Sequence, residues 1–401
     1  MSILFSPLSL RDLALSNRIV VSPMCQYSAE DGVANEWHMI HVGSMALSGA
    51  GMLTIEATAV EPEGRITPGC LGLWDDATEA ALKPIFSAVR RHAKVAVTMQ
   101  LSHAGRKASS HVPWKGGAQI PLSEGGWIAH APSAIPHTPG ELAPTALDRE
   151  GMHRVRDAFV AAAKRAIRLG VDGLELHGAH GYLVHEFLSP ISNRRTDDYG
   201  GSLENRMRFP LEVFEAVRAA MPSGMPLGVK VSATDWVEGG WDLEQTIAFA
   251  KALKDRHADW MSVSSGGISP SQKIKTGPGY QVPSRLPSAR RAVFTSRASA
   301  SSRTPIRPRI SLPVARLIWS RSRAPCSTIR VGRGMQRPNS VGVSMRRRNI
   351  GALRRMGTRT CSPISFTARV DAHEQFKLQG GSELPPGHRP TANSPLRRGA
   401  S

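Results

Sequence analysis

Residues 174–190, LELHGAHGYLVHEFLSP, decide the fold of this 401-residue chain. Gly173 to Leu176 is a short β-type run that releases His177, His180 and Tyr182 onto a turn loosened by Gly178 and Gly181. Polar side chains set out at the carboxyl end of a strand, on a glycine-flexed turn, are where a (β/α) barrel carries its chemistry. Shortly after, SNRRTDDYGGSLENR (192–206) brings a Gly-Gly turn that opens a helix. Residues 177–206 are therefore expected to form the floor and wall of a site.

Outward from that stretch the same unit repeats. NRIVVSPM (17–24), GMLTIEATAV (51–60), KVAVTMQLSHAGR (94–106), PLGVKVSATDW (226–236) and WMSVSSGG (260–267) read as buried strands. Between them, helical apolar spacing is expected over 35–48, 75–92, 148–169 with Asp148 as N-cap, 202–220 and 243–256. Near-continuous aliphatic strands alternating with amphipathic helices imply a parallel sheet. The strands end in polar or glycine clusters such as Cys25-Gln26-Tyr27, Glu56-Ala57-Thr58 and Ser264-Ser265-Gly266. Strand ends converging on one rim favour a closed barrel. A doubly wound sheet would show a glycine-rich phosphate loop after the first strand, and none is visible. The fold class expected is α/β, a (β/α)8 TIM barrel of which about six strand–helix units are recognisable. Residues 109–145, rich in Pro, Gly, Ser and Trp, read as a long loop or lid.

The formal charge of +19 suggests a nucleic-acid binder until it is mapped. From Ser284 onward there are 23 Arg and 1 Lys against 2 Glu and 1 Asp, whereas residues 1–283 hold 27 basic and 29 acidic groups. All the basicity belongs to the tail. Four cysteines (Cys25, Cys70, Cys326, Cys361) have no CxxC or other metal spacing, so neither a disulfide framework nor a zinc module is indicated. The opening residues lack a basic n-region and are broken by Pro7, Arg11 and Asp12, no run approaches the ~18 apolar residues a span needs, and the cytoplasm is the default.

After GPGYQVP (277–283) the periodicity vanishes into Arg, Ser, Pro and Ala. That composition fits a disordered basic arm, a low-complexity linker, or a GC-rich gene read out of frame. The genetic code favours the third. SASSRTP (299–305) and WSRSRAPCSTIR (319–330) regroup, with one extra preceding base and chosen synonymous codons, into VGLITDP and LVALARAMLYDP. Both need the same one-base offset, and each looks like a missing barrel strand. Two domains are expected: a barrel over 1–283 cut short after its sixth strand, and an out-of-frame, disordered tail over 284–401. Strands six and one would then be left as open edges.

With these motifs in view, residues 5–283 resemble the Old Yellow Enzyme family of FMN-dependent ene-reductases, closest to the xenobiotic-reductase-like bacterial branch. VSPMCQYSAEDG, EATAVEPEGR, QLSHAGRKA, HGAHGYLVHEFLSPISNRRTDDYGGSLENR and VSATDW carry the resemblance, in order. It implies FMN as cofactor, NADPH or NADH as hydride donor, and NADPH dehydrogenase or ene-reductase activity on α,β-unsaturated carbonyls and nitro compounds. Pro23, Met24 and Ala57 would lie against the flavin ring, with Gln100 and Lys230 at its pyrimidine side and Cys25 beside its redox edge. His177 and His180 would hold the substrate carbonyl oxygen with help from Tyr27, His177 also touching the cofactor. Tyr182 would donate the proton. Lys230 departs from the family's usual Arg: it keeps a positive charge but loses the bidentate fork.

Spacing alone leaves blander readings open. His177 and His180 at i, i+3 also suit zinc ligands or satisfied turn histidines, although no metal is expected. Cys25 also suits a small buried hydrophobe and Tyr182 a packing aromatic. Rival functions are nucleic-acid binding through the tail and a non-catalytic relic. The resemblance implies a small-molecule substrate, no membrane, and a homo-oligomer where the frame is intact. The family's phosphate-gripping glycine turn and arginine would fall in the lost frame, so weak FMN binding is expected of this chain.

Overall fold

In the computed structural model, residues 2–274, Gly277 and Tyr280 are described, together with the backbone of two later strands. Eight parallel strands close into a barrel: β1 (Ile19–Val21), β2 (Met52–Ala59), β3 (Ala96–Ser102), β4 (Gly173–Gly178), β5 (Leu227–Ser232), β6 (Trp260–Ser264), β7 (Thr295–Ala300) and β8 (Leu317–Arg321). The six that the sequence predicts stand where expected. The open edges expected at strands six and one do not remain. Trp260 to Val263 pair with Thr295 to Ala298, and Trp319 to Arg321 pair with Ile19 to Val21. An unpaired edge exposes a row of N–H and C=O groups, and here backbone from the basic segment satisfies it despite its scarcity of aliphatic residues. The chain divides into two units, Met1–Ile329 and Arg330–Ser401. Of residues 284–401, expected to be disordered, Thr295–Ala300 and Leu317–Arg321 are barrel strands, and the rest of that expectation lies outside the described residues.

Outer helices follow the predicted order: α1 (Glu36–Ala46), α2 (Asp76–His92), α3 (Arg149–Arg168), α5 (Leu203–Ala220) and α6 (Leu243–Asp255), with a short α4 (Leu183–Leu188) after β4. Each long helix starts at a side-chain oxygen that accepts from an otherwise orphaned amide: Asn35, Asp75, Asp148, Ser202 and Asp242. Outward-facing strand residues such as Leu53, Val97, Leu176 and Val229 pack with Phe159, Phe209 and Phe214 into one core.

The barrel interior alternates the other way and is polar at mid-height. Thr54 and Thr98 share a hydrogen bond of 2.9 Å. Fully buried Glu175 accepts from Gln100 Nε2 at 2.8 Å and Trp260 Nε1 at 2.9 Å, and from Ser262 Oγ. Below, a hairpin of Leu8–Leu10 and Leu13–Leu15 seats Leu8, Leu10 and Leu15 against Val20, Met52, Ala96 and Trp260. That apolar plug sits at the strands' amino ends, leaving the carboxyl ends for chemistry. So short a hairpin carries no periodic signal from which it could be predicted.

Candidate active site

Register brings the predicted residues to one rim. Ala57 stands level with Gln100, Gln100 with Glu175, and His177 with Lys230. A β-bulge makes this arrangement possible. The β2–β3 pairing slips between Ile55 and Ala57, so Glu56 is the extra residue and Ala57 takes the place beside Gln100. Glu56 instead accepts the Gln26 amide at 2.8 Å and lies 3.6 Å from His38 Nε2 on α1. Burial pushes its carboxyl up to about 8, more than the hydrogen bond from Gln26 pulls it down. At neutral pH Glu56 is mostly protonated, and no uncompensated charge sits behind β1 and β2.

Gln100 and His177 are 1% and 3% exposed, and Lys230 is 6% exposed. Gln100 Nε2 donates to Glu175 Oε1, so the Gln100 amide nitrogen points down to it and the Gln100 carbonyl oxygen is turned away. Neither Glu175 nor this orientation was read from sequence. A charged residue inside the apolar run LELH was the available signal.

His177, His180 and Tyr182 form a triangle of edge-on rings. Centroids are 4.8 Å apart for His177–Tyr182, 5.1 Å for His177–His180 and 6.5 Å for His180–Tyr182. His177 Nδ1 accepts the Ala179 amide at 3.3 Å, which puts the proton of the neutral ring on Nε2. His180 Nε2 lies 2.7 Å from Ser264 Oγ at the end of β6. His180 itself has φ of 62°, a left-handed conformation that costs a non-glycine residue energy and recurs at functional sites.

Tyr27, the other predicted carbonyl-holding residue, shares that strain at φ 53°. Its ring meets Trp114 edge-on at 5.6 Å. Trp114, 69% exposed, belongs to the predicted lid. That lid is tied down rather than loose: Arg195 Nη1 bonds Pro132 O at 3.0 Å, and the Arg194 amide donates to Ser133 Oγ at 2.9 Å. Pro23, Met24 and partly buried Cys25 follow β1 on the same rim.

A flavin ring needs an apolar wall, a hydrogen-bonding edge and a nearby cation. Met24 and Ala57 with Gln100 and Lys230 meet that demand, so the described residues fit the ring of FMN. The phosphate end falls on residues outside those described. Among the described residues no helix is long and apolar enough to cross a membrane.

A family model described as NADH:flavin oxidoreductase / NADH oxidase matches residues 3–288. An NADH:flavin oxidoreductase of Gibberella zeae is 45% identical over 294 residues, covering 69% of this chain and 71% of its own. An NADPH dehydrogenase of Geobacillus thermodenitrificans is 42% identical over 284 residues, covering 70% and 78%. Among solved structures, morphinone reductase superposes with a TM-score of 0.62 at 28% identity, over 75% of this chain and 80% of that one. It has also been solved in complex with tetrahydroNAD.

Proposed function

The chain belongs to the NADH:flavin oxidoreductase / NADH oxidase family, and from that premise we propose that its site reduces the C=C bond of α,β-unsaturated carbonyl compounds. It is an FMN-dependent oxidoreductase of the Old Yellow Enzyme type by descent, with a nicotinamide as the electron source. The observation that carries the finer reading is the His177–His180–Tyr182 triangle on the rim that Gln100 and Lys230 share.

When bound, FMN supplies the hydride chemistry, accepting from the nicotinamide and giving to the substrate. The protein supplies position and charge. Negative charge develops on the substrate carbonyl oxygen as its β-carbon is reduced, and ring N–H groups of His177 and His180 stabilise it there. The Tyr182 phenol delivers a proton to the α-carbon. Lys230 favours a negatively charged pyrimidine edge, and Gln100, its amide nitrogen held by Glu175, presents its carbonyl oxygen to a donor.

Tyr182→Phe is the test. Turnover of a cyclic enone should fall by ~10²–10⁴, the usual worth of a positioned general acid, while reduction by NADPH in the absence of enone proceeds at the wild-type rate. Equal loss in both half-reactions, or in neither, would remove Tyr182 from the role.

A further inference from the structure

The turn after β3 carries a lysine that neither the sequence reading nor the proposed chemistry uses. Lys107 Nζ donates to the carbonyl oxygen of His180 at 2.9 Å and to that of Gly267 at 3.0 Å. It also lies 5.2 Å from the centroid of the Tyr182 ring. The two carbonyls come from different loops, one after β4 and one after β6. Two carbonyl dipoles aimed at one point repel each other unless a donor stands between them, and a cation is the strongest such donor.

The loops meet there with no side chain to spare. A Cβ on Gly181 would fall 2.1 Å from Gly267 O, and one on Gly267 would fall 2.5 Å from the His180 backbone. His180, Gly181 and Gly267 all have positive φ, at 62°, 75° and 97°. The glycines adopt it freely, but at His180 it is strained and persists only where its surroundings hold it. The neighbouring Arg106 works alongside, its Nη2 donating to Ile268 O at 2.6 Å and its amide to Glu186 at 2.8 Å.

We propose that Lys107 is a positioning residue: it clamps the β4 and β6 loops together and so fixes the aim of the His180 imidazole and the Tyr182 phenol. The clamp sets how far His180 stands from Ser264, the contact that orients its ring, and it presses a cation toward the face of the proton donor. Its catalytic meaning rests on the proposed roles of His180 and Tyr182, whereas the clamp itself does not.

Backbone hydrogen exchange on the full chain tests it without requiring bound flavin. In Lys107→Met, exchange over residues 179–182 and 265–268 should accelerate together by about 10- to 100-fold, the range expected for losing hydrogen bonds to a charged group. Residues 149–168 should keep their wild-type protection, and Lys107→Arg, which retains a donating cation, should restore most of it. Unchanged exchange in both loops, or acceleration in one alone, overturns the clamp. Should Lys107→Met unfold the chain, exposing 149–168 as well, Lys107→Gln against Lys107→Arg carries the same comparison. If the clamp holds but Lys107→Met and Tyr182→Phe both leave enone turnover untouched, the proposed chemistry fails and the clamp stands.

Discussion

A single buried carboxyl shows how little a residue's type says about its charge. Glu56 follows an apolar run and reads as one polar group among several at a strand end. The bulge turns it toward Gln26 and α1, where burial holds it protonated with a pKa of about 8. A carboxyl raised in the folded state binds its proton more tightly than in the unfolded chain. Stability therefore falls as pH climbs from the unfolded value near 4.5 toward 8, by about 1.4 kcal/mol per unit for one such group. Buried Glu186, also pushed up to about 8, adds to the slope. Neutral His38, lowered by burial, opposes it only below about pH 6.5. Glu56→Gln keeps the shape and drops the titration, so thermal unfolding at pH 5 and pH 8 should differ less than in the wild type. A pH dependence identical in both proteins would refute the assignment.

Elements are held at their ends, and there the consequences of change are larger. Asp235, at the exit of β5, lies 3.0 Å from His185 Nε2 on α4, and it accepts from Ser189 Oγ at 2.6 Å and the Trp241 amide at 2.7 Å. Burial would raise its pKa, but His185 and these hydrogen bonds more than offset that and hold it below the usual carboxylate value. Its contribution is present above about pH 4 and lost as pH falls through the lower folded value. Asp235→Ala leaves the Ser189 hydroxyl and the Trp241 amide without their acceptor and should cost about 1–3 kcal/mol for each buried donor in urea unfolding near neutral pH. A total loss under about 1 kcal/mol would mean these hydrogen bonds are idle. Gly228 marks another limit. A Cβ there would lie 2.0 Å from the Trp260 ring that fills the barrel floor. Gly228→Ala should destabilise by about 1–3 kcal/mol through overpacking, read from the shift in the unfolding midpoint.

For the molecule as a whole, the barrel closes through β7 and β8, and these strands overlap the two stretches whose codons regroup into aliphatic sequence. Backbone pairing needs no particular side chains, but gripping a phosphate does. A chain whose residues from 284 onward are replaced by the one-base-shifted frame should bind FMN about 10- to 100-fold more tightly than this one, the worth of a charged hydrogen-bonded pair. Quenching of flavin fluorescence on titration would measure both. Equal affinities would show that the phosphate clamp is not what the segment lacks.

The linear order of residues was enough to determine six strands, five long helices with the Asp148 cap, and the barrel class. Each of these depends on period, cap or motif, which are local properties. Only the folded chain decided that Glu175 holds Gln100, that Glu56 is bulged out of the ring, that Lys107 joins two loops and that the sheet closes. Those outcomes depend on partners far apart in the chain, on burial that changes a group's charge, and on backbone hydrogen bonds indifferent to side-chain identity. No spacing of letters encodes them.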